Sequence, residues 1–373
     1  MQYRDYIAYM DSEDVCIHIS DEMIFEKEII KPVLLISHNL SVTGAPLALL
    51  DAARVLMKNN YQVFIVSFWG EDILEGFLKC GCIVLLYSGK TINAAHLKKM
   101  ADIFPVVLVN TLGLVPLAEF FTMAGKEVFW WIHEGNYFFE NLHYECDKIP
   151  WTSSLHLLAA SPKASRAISA HLGRESLILN VMVEDQFDQE RLWKKDKIHF
   201  LWAGVINSNK RPELLLRAIA ELPKSYEEYV DFTFCGDGVD NERKEWIQKR
   251  ADTSCNITYV SAMPHQQFIE FLKEMDVIVV CSEEETTSLV ALEGLMLEKT
   301  VICSDGCGIT EYLSDGKDSY TFSSGNHKEL GEKIRYVADH FEELTFLRRA
   351  GRNVYERYYT EAVFEKRLLE IFG

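Results

Sequence analysis

This 373-residue sequence predicts two α/β domains in succession, each built on an open parallel sheet. Three observations lead there. Short runs rich in Val, Ile, Leu and Phe alternate with segments of helical apolar spacing, which is the pattern of repeated βαβ units. The runs are mostly apolar and lack a clean polar alternation, as strands buried on both faces of a parallel sheet do. The plan then starts again in the second half, and the length accommodates two domains of roughly 150–200 residues.

Taken in order, the first half offers strands at Val33–Ser37, Gln62–Phe68, Cys82–Ser88, Val106–Thr111, Glu127–His133 and Leu155–Ser161. Between the first two lies PLALLDAARVLMKNN, in which Pro46 suits a first helical turn and Asn59-Asn60 a stop. The second half offers strands at His199–Val205, Val230–Gly236, Asn256–Val260, Val277–Cys281 and Thr300–Ser304. Its segments RPELLLRAIAEL and PHQQFIEFLKEM carry apolar residues at i, i+3 and i+4, so they are expected to be helices. The charged stretch Asp188–Lys197 is the expected linker, which puts the first domain at 1–190 and the second at 191–354.

Composition narrows the function classes. Hydrophobic residues make up 48% and charged residues 25%, a globular and enzyme-like balance. A net charge of -18 argues against a nucleic-acid partner bound by broad charge neutralisation, but leaves room for a local basic pocket. The nine cysteines are scattered without a CxxC pair, and Cys235 and Cys281 sit in apolar runs as small hydrophobes. A reduced, cytoplasmic setting is expected, without a zinc site or disulfide framework. No apolar run approaches the ~20 residues of a membrane span, and the polar, acidic start is unlike a signal peptide.

In such sheets ligands bind where strands lead into helix N-termini, and between two domains the cleft is the default site. The loop after Val277–Cys281 reads SEEETTSLVALEG. Thr286, Thr287 and Ser288 are natural caps, and the amides around Ser288, Leu289 and Val290 would suit a phosphate. Glu285 stands ahead of that helix and Glu293 about a turn and a half inside it, so the two carboxylates can take two sets of ligand hydroxyls. The loop after His199–Val205 carries Gly204 and then the basic pair Lys210-Arg211 at a helix start. Cations there oppose the helix dipole and call for an anionic partner. In the first half, Gly44-Ala45 mark the loop-to-helix junction after the first strand, and His133 ends a later strand; His38 has similar geometry.

The Glu-x7-Glu pattern around SLVALEG resembles the nucleotide-sugar site of retaining glycosyltransferases of the GT-B fold, and more narrowly family 4, the group 1 glycosyltransferases. The resemblance runs from about Val33 to the end of the chain. It implies two Rossmann-like domains facing a central cleft, the first for acceptor and the second for donor. A helix at about 355–373 would pack back on the first. It implies that Glu285 contacts the donor sugar, that the amides of Ser288 to Val290 and the Lys210 ammonium meet the diphosphate, and that Glu293 takes the ribose hydroxyls. Val205 stands where the family often has Arg, and Arg211 where it often has Gly. Gly308 to Glu311 resembles a Gly-Gly-x-x-Glu segment with Cys307 replacing one Gly. Gly44 and His133 match positions near donor phosphate and donor sugar.

The implied activity is metal-independent, retaining transfer from a nucleoside-diphosphate sugar to a hydroxyl of a saccharide, lipid-linked or protein acceptor, in polysaccharide or glycoconjugate assembly. The donor is a co-substrate, and no cofactor or metal is expected; no Asp-x-Asp motif ends a strand. Base recognition is expected on Tyr259–Gln267. Peripheral contact with the cytoplasmic membrane face and a homo-oligomer are compatible with the sequence. Two alternatives compete: a catalytically weak homologue serving an active transferase as partner subunit, motivated by Val205, and a sugar-nucleotide epimerase.

Overall fold

A computed structural model describes residues 2–22, 30–89, 91–141, 149–188, 197–238 and 240–373. Most of the expected linker, residues 189–196, lies outside the described residues. The chain divides into two compact units, Met1–Met182 with Phe364–Gly373, and Val183–Val363.

The first unit holds β1 (Val15–His18), β2 (Pro32–Ser37), β3 (Gln62–Ser67), β4 (Ile83–Tyr87), β5 (Val106–Asn110), β6 (Glu127–Ile132), β7 (Leu155–Ala159) and β8 (Leu177–Ile178). They lie in the order β1-β4-β3-β2-β5-β6-β7-β8. Every residue of β3 and β4 is buried, which is why these runs show no polar alternation. The strands are parallel except β1, which pairs antiparallel with β4 along Val15↔Tyr87 to His18↔Val84. This edge strand and the helix Tyr3–Met10 occupy the segment that lies ahead of the family resemblance. Tyr6 of that helix meets Phe64 edge-on at 4.5 Å, and Phe104 closes on Phe64 from 4.9 Å.

The end of the chain completes this unit. Phe372 stacks on Phe129 at 4.5 Å, Glu365 accepts hydrogen bonds from Lys58 and Asn59, and Arg367 Nε donates to the Ile178 carbonyl. The return begins at Phe364, not near 355. The helix Thr345–Tyr358 stays with the second unit, where the Tyr355 hydroxyl donates to the Val183 carbonyl and the Val183 amide to the Tyr359 carbonyl. The same two bonds draw residues from Val183 onward into the second unit.

The second unit holds β9 (Ile198–Ala203), β10 (Val230–Cys235), β11 (Ile257–Val260), β12 (Val277–Val280), β13 (Thr300–Ser304) and β14 (Tyr320–Phe322), all parallel, in the order β11-β10-β9-β12-β13-β14. Strand order reverses between β9 and β12. These two strands pair only at Phe200↔Val277 and Leu201↔Ile278, so their carboxyl ends part. Such a reversal point is where open parallel sheets bind ligands. The loops leaving β9 and β12 are the two that the sequence singled out.

Candidate functional site

Glycines let the strand ends of the second unit come together. Gly204 follows β9 at φ 155° and Gly236 follows β10 at φ 150°. A Cβ on Gly236 would stand 1.9 Å from the Gly204 carbonyl oxygen, and one on Gly238 would stand 2.3 Å from that of Ile206. We expect Gly236→Ala to cost about 3 kcal/mol or more, read as a lowered urea midpoint, because the new Cβ would collide with the backbone of Gly204 and not with a movable side chain.

The β9 loop is sewn to the β12 loop by Asn209. Its carbonyl accepts from the Glu283 amide (2.8 Å), its Oδ1 from the Glu284 amide (3.0 Å), and its Nδ2 donates to the Glu284 carbonyl (2.9 Å). Asn207 Oδ1 in turn accepts from the amides of Asn209 and Lys210. Lys210 is thereby fixed in backbone, and its Nζ reaches Glu285 Oε1 at 2.5 Å. Glu285 is also held from the β13 side. Its amide donates to the Gly306 carbonyl (3.0 Å), and its own carbonyl accepts from the Gly308 amide (2.7 Å). Cys307, fully buried where the family resemblance leads one to expect Gly, brings its Sγ to 3.8 Å from Glu285 Oε2. Three loops thus converge on one carboxylate.

Arg211 adopts φ 46°, ψ 54° as the N-cap of the helix Pro212–Ala220. That left-handed conformation costs a residue with a Cβ about 1–2 kcal/mol, which accounts for Gly being usual at the matching family position. Its guanidinium pairs with Glu283, so two ion pairs, Lys210–Glu285 and Arg211–Glu283, span the strand reversal. Val205 is exposed.

The helix after β12 runs Leu289–Met296. Ser288 is its N-cap, and Ser288 Oγ accepts from the Ala291 amide. The amides of Leu289 and Val290 precede the helix's own ladder, whose first bond runs from the Leu292 amide to the Ser288 carbonyl. They sit at the positive end of the dipole. Glu293 lies within this helix, only 4% exposed. Its Oε1 is 2.7 Å from Nε2 of His265, the first residue of the helix His265–Lys273. Gly204, Lys210, Arg211, Glu285, Ser288, Leu289, Val290 and Glu293 therefore all belong to the β9 and β12 connections of one unit. Among the described residues, no three His, Cys, Asp or Glu side chains gather as a metal-binding set.

The other named residues belong to the first unit. Gly44 opens the helix Gly44–Lys58, where a Cβ would meet nothing within 4 Å. His133 follows β6 and is half-buried; its Nε2 lies 2.8 Å from Asn110 Oδ1 at the end of β5. Asn110 Nδ2 donates to the Ala45 carbonyl, which leaves Oδ1 as the acceptor and puts the ring proton on Nε2. The Glu134 carboxylate accepts from the amides of His133 and Leu112, both at 2.9 Å. Burial, and then the neighbouring His38, push the His133 pKa down to about 3, so the ring is neutral at pH 7. Asn110, Glu134, Asn209 and His265 were not singled out in the sequence. A polar residue at a strand's end was the available signal for Asn110, and the Pro-His helix start was the signal for His265.

His133 also carries a pH signature. The unfolded imidazole takes a proton near pH 6.5 and the folded one near 3, so between these values the unfolded chain binds more protons. Its contribution to stability is intact above pH ~6.5 and is lost as pH falls through that value towards 3. His133→Gln is expected to flatten the denaturation midpoint against pH between about 6.5 and 4, by up to about 1 kcal/mol per pH unit.

Comparison with known proteins agrees with this architecture. Residues 183–354 match the family model "Glycosyl transferases group 1", and residues 30–166 match "Glycosyl-transferase family 4". The chain is 23% identical over 317 residues to an uncharacterized glycosyltransferase of Methanocaldococcus jannaschii, covering 81% of this chain and 82% of that protein. It is 24% identical over 190 residues to a Campylobacter jejuni α-1,4-N-acetyl-D-galactosaminyltransferase whose name specifies a saccharide on diphospho-undecaprenol, covering 50% of this chain and 51% of that one. Among solved structures, Anabaena HepE in complex with UDP aligns over 92% of this chain and 99% of its own, with a TM-score of 0.76 at 15% identity. That likeness carries the fold alone. The chain belongs to the group 1 glycosyltransferases, family 4, of the GT-B fold.

Proposed function

We propose that the chain transfers a sugar, with retention of anomeric configuration and without a metal, from a nucleoside-diphosphate sugar to a hydroxyl of a saccharide or lipid-linked acceptor. The observation that carries this reading is the contact between Lys210 Nζ and Glu285 Oε1 across the strand reversal, with a buried Glu293 in the helix that follows the β12 loop. An ammonium and first-turn amides suit the diphosphate, and the two carboxylates suit hydroxyls to either side of it.

In the transfer the bond from the anomeric carbon to the β-phosphate oxygen breaks. The acceptor oxygen bonds to the same face, and its proton passes to the departing phosphate oxygen. Negative charge grows on the leaving diphosphate, where Lys210 and the amides of Leu289 and Val290 stabilise it. Arg211 can add a second cation once Glu283 releases it. Glu285 orients the donor sugar and offsets the positive charge that develops at the anomeric carbon. His133, which the resemblance matches to a position near the donor sugar, is kept uncharged by burial and oriented by its Nε2–H bond to Asn110.

The UDP in HepE and the undecaprenol diphosphate in the name of the Campylobacter relative support a nucleotide-sugar donor and an acceptor used in glycoconjugate assembly. A lipid-linked acceptor is assigned to peripheral contact at the cytoplasmic membrane face as part of this proposal; among the described residues no helix is long and apolar enough to cross a membrane. The test begins with thermal shifts for UDP, GDP, ADP and CDP, since ligand binding to the native state raises apparent stability. Transfer in the presence of EDTA from the matching sugar nucleotide, with product NMR, follows. Inverted product, or loss of turnover in EDTA, would overturn the mechanism.

A further inference from the structure

We infer that His265 is a positioning residue for the donor's ribose: it holds the Glu293 carboxylate in the orientation that reads the ribose hydroxyls. The inference rests on the donor-site reading above and extends it to a residue outside the Glu-x7-Glu segment.

Glu293 is 4% exposed and sits in an apolar helix, among Leu292, Leu295 and Met296. A carboxylate so placed needs hydrogen-bond donors to remain charged and fixed. Among the described residues its one hydrogen-bond partner is His265, whose Nε2 stands 2.7 Å from Oε1. An ionised carboxylate accepts about four hydrogen bonds, so one donor on Oε1 leaves capacity for a vicinal diol. His265 itself is well placed to act as a peg. Pro264 fixes the approach to the helix His265–Lys273, and the Ala262 amide just before it is anchored on Asp237 Oδ2 at 2.8 Å. Asp237 is held in turn by the Tyr259 hydroxyl and by Lys244. The imidazole is more than half exposed (56%) while its partner carboxylate is 6% exposed. The pair therefore runs from the surface to the interior. Without the peg, the Glu293 side chain loses its orienting donor, and the diol must fix the rotamer on binding, which weakens affinity.

The test compares the nucleoside diphosphate that gives the largest thermal shift with its 2′,3′-dideoxy counterpart, by calorimetry on wild type, His265→Ala and His265→Gln. The Gln amide can donate from about the place of Nε2. The expected result is a loss of about tenfold for the ribonucleotide in His265→Ala. The dideoxy ligand should bind the wild type and His265→Ala equally, and His265→Gln should regain most of the ribonucleotide affinity. Equal weakening of both ligands, or an unchanged ribonucleotide affinity, would overturn the inference while leaving the donor site standing. If wild type binds neither ligand, the donor-site reading falls and the inference falls with it.

Discussion

Glu285→Gln is expected to lower kcat by about a hundredfold or more, while thermal stability changes little. The substitution keeps the side chain's shape. It also keeps the two backbone bonds, from the Glu285 amide to Gly306 and from Gly308 to the Glu285 carbonyl, that fix its place. In the proposed mechanism the variant loses the negative charge beside the anomeric carbon, which acts only as the leaving group departs. Affinity for the free nucleoside diphosphate should rise a few-fold, because Lys210 no longer has a carboxylate at 2.5 Å competing for its ammonium. Steady-state kinetics and calorimetry read the two effects separately. A kcat within about threefold of wild type would remove Glu285 from the chemistry.

The opposite signs follow from how the ligand-free site is balanced. Lys210 and Arg211 are each neutralised by a glutamate on the β12 loop. The donor's diphosphate can replace both glutamates as the counter-ion, leaving Glu285 to the sugar. A site organised in this way keeps its cations in place before substrate arrives, which reduces reorganisation when charge develops.

Much of this was legible in the sequence, for identifiable reasons. β3, β4 and β13 are buried throughout, and full burial leaves a continuous apolar run that announces a strand. β1, β8 and β14 leave no such trace. VCIH is buried at only one of its four positions, Leu177–Ile178 spans two residues, and YTF sits among serines. The loops of the site were recognisable because Lys210 and Glu285 are unusual residues at strand-to-helix junctions and Glu293 is unusual in an apolar helix. Their partners were not. Asn209 meets Glu284 across 75 positions and His265 meets Glu293 across 28, so only the folded register brings them together. In the sequence Gly236 ends the expected strand Val230–Gly236, whereas the reason for a glycine there, the carbonyl of Gly204 on the neighbouring connection, is long-range.

Lys210→Ala is expected to weaken nucleoside diphosphate and sugar nucleotide alike, by about a hundredfold, and to lower kcat/KM by about a thousandfold or more. The backbone should stay in place without the side chain. The Lys210 amide donates to Asn207 Oδ1 (2.8 Å), and its carbonyl accepts from Trp202 Nε1 (3.1 Å). What the variant lacks is the ammonium, which pairs with Glu285 and, in the proposed mechanism, grips the diphosphate. Glu285, with its side chain 15% exposed, then stands without its counter-charge, which should cost about 1 kcal/mol in a urea titration. The double variant Lys210→Ala/Glu285→Gln separates the two roles. It should recover that stability, because no carboxylate is left unpaired, yet remain unable to grip the diphosphate. Wild-type affinity in Lys210→Ala would mean that the anion is held elsewhere. Recovered stability with binding still lost would assign the lysine to the diphosphate and leave the ion pair as its resting state.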